Sequence, residues 1–230
     1  MVVEMDEISR DKFRAVGAIA VLVIAILAIF FIFYQQREKK NTAMRLRLFF
    51  SDMTQTMQFS MNINGPPGEW SWHGGYKNAD VINNYLGNYL RVSENCVNKS
   101  GNCFADVNYK NLKKHDTGLN LYKLPSLKLQ NGVSLAFETV GSCKSNNKIC
   151  ALVYADINGG ESPNILGKDL FIFTIVNSNA SAFLPYNLSV DADLLIKDEK
   201  YGCNKNAEIP MYCSGLLYTK NWSIDSKYPW

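Results

Sequence analysis

Six cysteines are the residues of this 230-residue chain whose type and spacing point first to chemistry. They stand at Cys96, Cys103, Cys143, Cys150, Cys203 and Cys213, in three close pairs. That proximity suggests local bridges Cys96–Cys103, Cys143–Cys150 and Cys203–Cys213, among the fifteen connectivities six cysteines allow. Zinc is the weaker alternative, because no C-x-x-C occurs and only His73 and His115 are available as nitrogen ligands. A short bridge contributes about 2–3 kcal/mol by restricting the unfolded chain, and cystines persist only in an oxidising compartment. The domain that carries them is therefore expected outside the cytoplasm.

A second chemical candidate is the segment around Asp156, Asn158 and Asp169, which flank the turn Asn158-Gly159-Gly160. Carboxylate and amide oxygens are the donors that Ca²⁺ takes. The run lacks the spacing and the closing Glu of an EF-hand loop. The sequence favours the competing expectation, a structural turn, since Asn-Gly-Gly accepts positive φ and Asp and Asn cap their own backbone. No other cofactor is expected. No G-x-S-x-G elbow, H-E-x-x-H helix or phosphate-cradling glycine loop occurs, and His73 and His115 sit in polar, loop-like surroundings, so no enzymatic activity is expected.

Two further features have a functional and a plain explanation. Trp70-Ser71-Trp72-His73, followed by Tyr76, offers exposed-looking aromatics that could anchor a partner, but packing over a sheet or at a membrane interface is the stronger expectation. Asn-x-Ser sequons at Asn98, Asn179, Asn187 and Asn221 matter only in a eukaryotic secretory setting. Charge is nearly balanced, 24 Lys+Arg against 21 Asp+Glu, with the basic residues scattered, so nucleic acid is not an expected partner.

The element that must position all of this is N-terminal. Ala15 to Gln36 carries no charge and is apolar on every face. That exceeds the roughly 18 residues at which a membrane-spanning helix is the default, and the lipid bilayer becomes the first expected partner. A cleaved signal has a shorter apolar core and a small-x-small cleavage site, neither of which is found here. From Ala18 to Asn64 there is no Gly or Pro, and Leu46, Phe49, Phe50, Met53, Met57 and Met61 recur at helical spacing. Gly65-Pro66-Pro67-Gly68 ends the helix. The expected organisation is a cytoplasmic tail at 1–14, a transmembrane part at 15–36, an extramembrane continuation of the helix at 37–64, and an extracytoplasmic domain at 65–230. The basic residues oppose this orientation, since Arg37, Lys39, Lys40, Arg45 and Arg47 after the span outnumber Arg10, Lys12 and Arg14 before it. The cysteines carry more weight, because large folded domains translocate by other signals.

Within the domain, Ala79 to Arg91 has helical spacing, with Val81, Ile82, Tyr85, Leu86, Tyr89 and Leu90 on one face. Cys96 to Gly132 reads as loop. Strands are expected at Ser134–Val140, Ile149–Ile157, Asp169–Val176 and Gly215–Lys220, the last followed by Trp222-Ser223-Ile224. With no helical pattern between most of them, the sheet should be antiparallel and the fold class α+β.

The chain resembles the type IV pilin and type II secretion pseudopilin superfamily, loosely in its middle and best in its last third. The resemblance rests on the unbroken N-terminal helix and on Asp156-Ile157-Asn158-Gly159, Pro163-Asn164, Gly167, Asp169 and Phe171-Ile172-Phe173. It rests also on the ending Cys213-Ser214-Gly215-Leu216-Leu217, Trp222-Ser223-Ile224 and Tyr228-Pro229-Trp230. The resemblance implies a structural subunit or assembly component, anchored in the inner (cytoplasmic) membrane by a single pass, with other pilin or pseudopilin subunits as partners through the helix. It also implies peptidase processing before Phe13, but no Gly precedes Phe13 and Gly17 stands where the family has Glu, so the chain is expected to stay anchored. A membrane-tethered binding module outside any filament is the alternative.

Overall fold

A computed structural model describes residues 2–72, 79–97, 103–140, 143–188, 191 and 193–230, with side chains from Val16 on and Ala79 excepted. His73, Tyr76 and Asn98 lie outside the described residues, as do the side chains of Arg10, Lys12, Phe13 and Arg14. The chain divides into two compact units, Met1–Asn41 and Thr42–Trp230.

Helix α1 spans Val2–Asn64 without interruption and ends where Gly65, at φ 74°, turns the chain into Pro66-Pro67. In the first unit its apolar residues are exposed, Leu22 at 60% and Phe30 at 69%, and none of its most apolar 18-residue window is buried within the chain. Among the described residues this is the one helix long and apolar enough to cross a membrane, a composition that suits an anchor or a signal sequence.

In the second unit α1 is amphipathic. Leu46, Phe49, Met53 and Met57 are buried, with Phe50 and Met61 partly covered, as their spacing predicts. They lie on a six-stranded antiparallel sheet in which every strand pairs with its neighbours in sequence. The strands are β1 Val92–Asn95, β2 Ser126–Leu129, β3 Ser134–Thr139, β4 Ile149–Asp156, β5 Leu170–Val176 and β6 Phe183–Pro185. With this sheet and the long helix, the fold is α+β. Rings make the joint: Phe49 meets Phe173 edge-on at 5.3 Å and Phe183 at 6.0 Å, while Phe50 lies 5.0 Å from Trp222 and 5.4 Å from Tyr218. Burying each large apolar side chain here is worth about 1.5–3 kcal/mol. The Arg45 guanidinium donates to the Ile157 carbonyl at 3.1 Å and ties α1 to the end of β4.

Several expectations need correction. Gly215–Lys220 is not a strand but helix α4, Cys213–Thr219. Its Leu216 and Leu217 face the core, and Ser214 Oγ donates to the Ile172 carbonyl of β5. A short apolar run does not reveal its period, and here the Cys203–Cys213 bond and sheet packing select the helix. Trp222 has φ 58°, which excludes a strand there. The Ala79–Arg91 helix is shorter than its pattern: α2, Ala79–Ile82, passes into one π turn at Asn83–Gly87, which still buries Val81, Ile82 and Leu86. The stretch read as loop contains β2, and β1, β6 and the short α3, Leu194–Lys197, were not expected. Trp70 and Trp72 are buried, in line with the packing that was the stronger expectation for them. Trp70 stacks on Tyr85 at 4.7 Å and on Trp72 at 5.9 Å, and its Nε1 donates to the Gly65 carbonyl at 2.9 Å, fixing the chain just past the end of α1.

Candidate functional site in the loop between β4 and β5

Strand β4 ends on Asp156, paired with Leu170 as β5 begins, and the loop between them holds the polar residues singled out from sequence. Asp156 and Asp169 are both buried, at 0% and 3% exposure. Buried carboxylates need donors, and the loop's local geometry supplies them. Asp156 accepts from the Asn158 backbone N–H at 3.1 Å, the Gly159 N–H bonds its backbone carbonyl at 3.3 Å, and the N–H groups of Gly159 and Gly160 also favour its charged form. Its other carboxylate oxygen accepts from the hydroxyl of Tyr109. Asp169 accepts from the backbone N–H of Asn164 at 2.7 Å and of Ile165 at 2.6 Å. The structure thus brings Asp156, Asn158 and Asp169 together.

Two glycines make the loop possible. Gly159, at φ 80°, runs so close to Gly132 that a Cβ would lie 2.5 Å from the Gly132 carbonyl oxygen. Gly167, at φ 79°, leaves room for Cys213, whose sulfur a Cβ would meet at 2.6 Å. The freed Gly167 carbonyl accepts from Tyr228 Oη at 2.7 Å and Trp230 Nε1 at 2.8 Å, so the C-terminal residues clamp the loop. Backbone bonds between Lys110 and both Asn164 and Leu166 hold its other side.

The electrostatics follow from burial. Desolvation raises the Asp169 carboxyl to about 7, with the charge of Asp156 adding to the effect and the Ile165 and Asn164 N–H groups opposing it. Asp156 is raised as well, by burial first, against the stabilising bonds from Tyr109 and three backbone N–H groups. Burial, followed by the charge of Asp156, pushes the Tyr109 hydroxyl up, so it stays a donor.

Sequence reasoning missed Tyr109, Asn164, Tyr228 and Trp230 as members of this site. The Pro163-Asn164 dipeptide was visible, but nothing local marks Tyr109, which arrives from a distant irregular segment. The other nominated residues are elsewhere. His115 is exposed in a turn, its backbone N–H bonded to Asn111 Oδ1 at 3.0 Å. Of the sequons, Asn179 and Asn221 are exposed and Asn187 is partly covered. The cysteines pair as Cys96–Cys103, Cys143–Cys150 and Cys203–Cys213, all buried, and no described cysteine is free. Glu94 lies against the first pair, but cystine sulfurs offer no thiolate to a metal.

Elsewhere in the second unit, a groove of about 530 Å³ runs between Asp52, Gln55 and Phe59 of α1 and the segments at Tyr89–Arg91 and Leu129–Asn131.

Residues 32–230 match a family described as "Family of unknown function (DUF6613)". No curated protein and no solved structure matches the chain.

Proposed function

This chain belongs to the DUF6613 family, and for it we propose the role of a bilayer-anchored, pilin-like structural subunit or assembly component of a type II secretion or type IV pilus-like system. One observation carries the proposal. A single uninterrupted helix is apolar and exposed on all sides over its first part, and packed along one stripe on an antiparallel sheet over its last part. The first part needs an apolar medium that the chain does not provide. Three disulfides in the folded unit support an extracytoplasmic, oxidising setting for it.

The solvent side of the last part supports a role in helix packing. Met44, Leu48, Phe59 and Ile63 are exposed at 51%, 57%, 60% and 71%, and their spacing sets them along the side away from Leu46, Phe49, Met53 and Met57. Another subunit's helix is the partner proposed for this face. With Gly17 in place of Glu and no Gly before Phe13, the chain remains an anchored member rather than a processed one. No catalytic role is assigned.

The groove beside Phe59 favours a second role, that of a tethered binding module. A photo-crosslinker placed at Leu48 and Phe59 in the membrane-bound chain separates the two. Adducts to the helix of another subunit are expected; adducts confined to a soluble ligand at Phe59, with none at Leu48, would overturn the subunit role.

A further inference from the structure

The charged collar that follows the apolar part of α1 takes no part in the packing of the folded unit. Its two exposed basic residues are Arg37 and Lys40, three apart and so on one side of the helix. Among the described residues no hydrogen bond, ion pair or ring contact engages either side chain. Ahead of them the helix is uncharged back to Ala15, and Phe33 and Tyr34 are 66% and 67% exposed. Rings followed by basic residues at the end of an apolar span suit the edge of a bilayer. Aromatic side chains settle at the boundary, and Lys and Arg carry their charge out into the headgroups.

Distance sorts the basic residues. At about 1.5 Å per residue, Arg37 and Lys40 come within about 6 Å of helix after Gln36, the last uncharged residue of the span. The headgroup layer on each side of a bilayer is about 5–7 Å deep, so both charges fall inside it. Arg47 comes about 16 Å of helix after Gln36, past that layer by more than the roughly 8 Å Debye length of physiological salt. Arg45 is engaged with the Ile157 carbonyl.

We infer that Arg37 and Lys40 bind the anionic headgroups of phospholipids, such as phosphatidylglycerol, in the leaflet where α1 leaves the bilayer. Charge complementarity and continuity with the apolar span select a lipid. A phosphodiester accepts from guanidinium and ammonium donors, while the choline of phosphatidylcholine cancels the attraction. The same role gives Arg37 and Lys40 a reason to follow the span, where a count of basic residues alone opposes an extracytoplasmic domain. The inference rests on the anchored state of the chain and not on a subunit partner.

The test titrates the full chain, purified in an uncharged detergent, with phosphatidylglycerol or phosphatidylcholine and counts lipids retained per chain by native mass spectrometry. Phosphatidylglycerol should be held about thirtyfold more tightly, and less so as NaCl is raised. Arg37→Gln and Lys40→Gln should each weaken it about fivefold and together about thirtyfold, with Gln keeping the helix. Arg47→Gln removes the same charge farther along and should change it less than about twofold. Equal retention of the two lipids would overturn the inference, as would a double variant that titrates like the wild type or an Arg47→Gln loss as large as the double variant's. Displacement of phosphatidylglycerol by an equal concentration of inorganic phosphate would overturn it too, in favour of a free-anion site. The double variant should stay in alkaline-washed membranes like the wild type; release of the wild type itself would defeat the anchor, and this inference with it.

Discussion

Two stretches of α1, residues 16–34 and 42–61, are both rich in large apolar side chains and meet opposite environments. Leu22 and Phe30 are 60% and 69% exposed; Leu46 and Phe49 are fully buried. The difference lies in what interrupts the apolar residues. The second stretch alternates its buried stripe with Arg45, Arg47, Ser51, Asp52 and Gln55, all exposed, so water covers one side and the sheet the other. The first has no such side. A helix apolar all round is stable only where its surroundings are apolar all round, whereas a one-sided helix needs a single partner surface.

Charge placed in the first stretch should have the largest effect. Ile24→Lys with Leu27→Lys costs roughly 2.5–3.5 kcal/mol per lysine near a bilayer centre. The expected result is release of the chain from alkaline-washed membranes; full retention would remove lipid as the medium. In the second stretch, Phe49→Ala should destabilise the folded unit by about 3–5 kcal/mol in denaturant unfolding, because it empties the joint with Phe173 and Phe183. An effect under about 1 kcal/mol would mean that the sheet does not depend on α1. Replacing Cys143 and Cys150 together by Ala should cost about 2–3 kcal/mol, measured the same way, and reduction of all three disulfides should cost more.

A smaller effect concerns pH. Asp169 is held near 7 in the fold against about 3.9 in the unfolded chain, so between those values the folded state binds the extra proton. The stability is full below the lower value and is lost as pH rises through 7. Tm at pH 5 should exceed Tm at pH 8, by on the order of 2 kcal/mol in stability, and Asp169→Asn should flatten that slope. A wild-type Tm that rises over this range would contradict the burial assigned to Asp169. The smallest change is expected for Phe59→Ala, within about 0.5 kcal/mol, since 60% of Phe59 already faces solvent. Its loss should appear in crosslinking instead.

The contrast also explains what the sequence made legible. The α1 stripe, the end of α1 at Gly65 and strands β3, β4 and β5 are long enough for their period to show. Strands β1 and β6 are edges of four and three residues, and α4 is seven residues long, too short for period 2 to be told from 3.6. Asp156, Asn158 and Asp169 stood out because turn chemistry is local. Tyr109 and the C-terminal clamp of Tyr228 and Trp230 did not, because their bonds to the loop join segments far apart in the chain. Packing was the stronger expectation for Trp70 and Trp72, and Tyr85, in the π turn after α2, is the stacking partner the sequence did not name.

The central claim is that the apolar part of α1 is retained in a membrane and leads to an oxidised domain. Intact mass of the chain recovered from alkaline-washed membranes tests both halves at once. The account predicts a chain that still contains residues 15–36 and gains six hydrogens on reduction. A soluble chain lacking that stretch, or one with six free thiols before reduction, would contradict it.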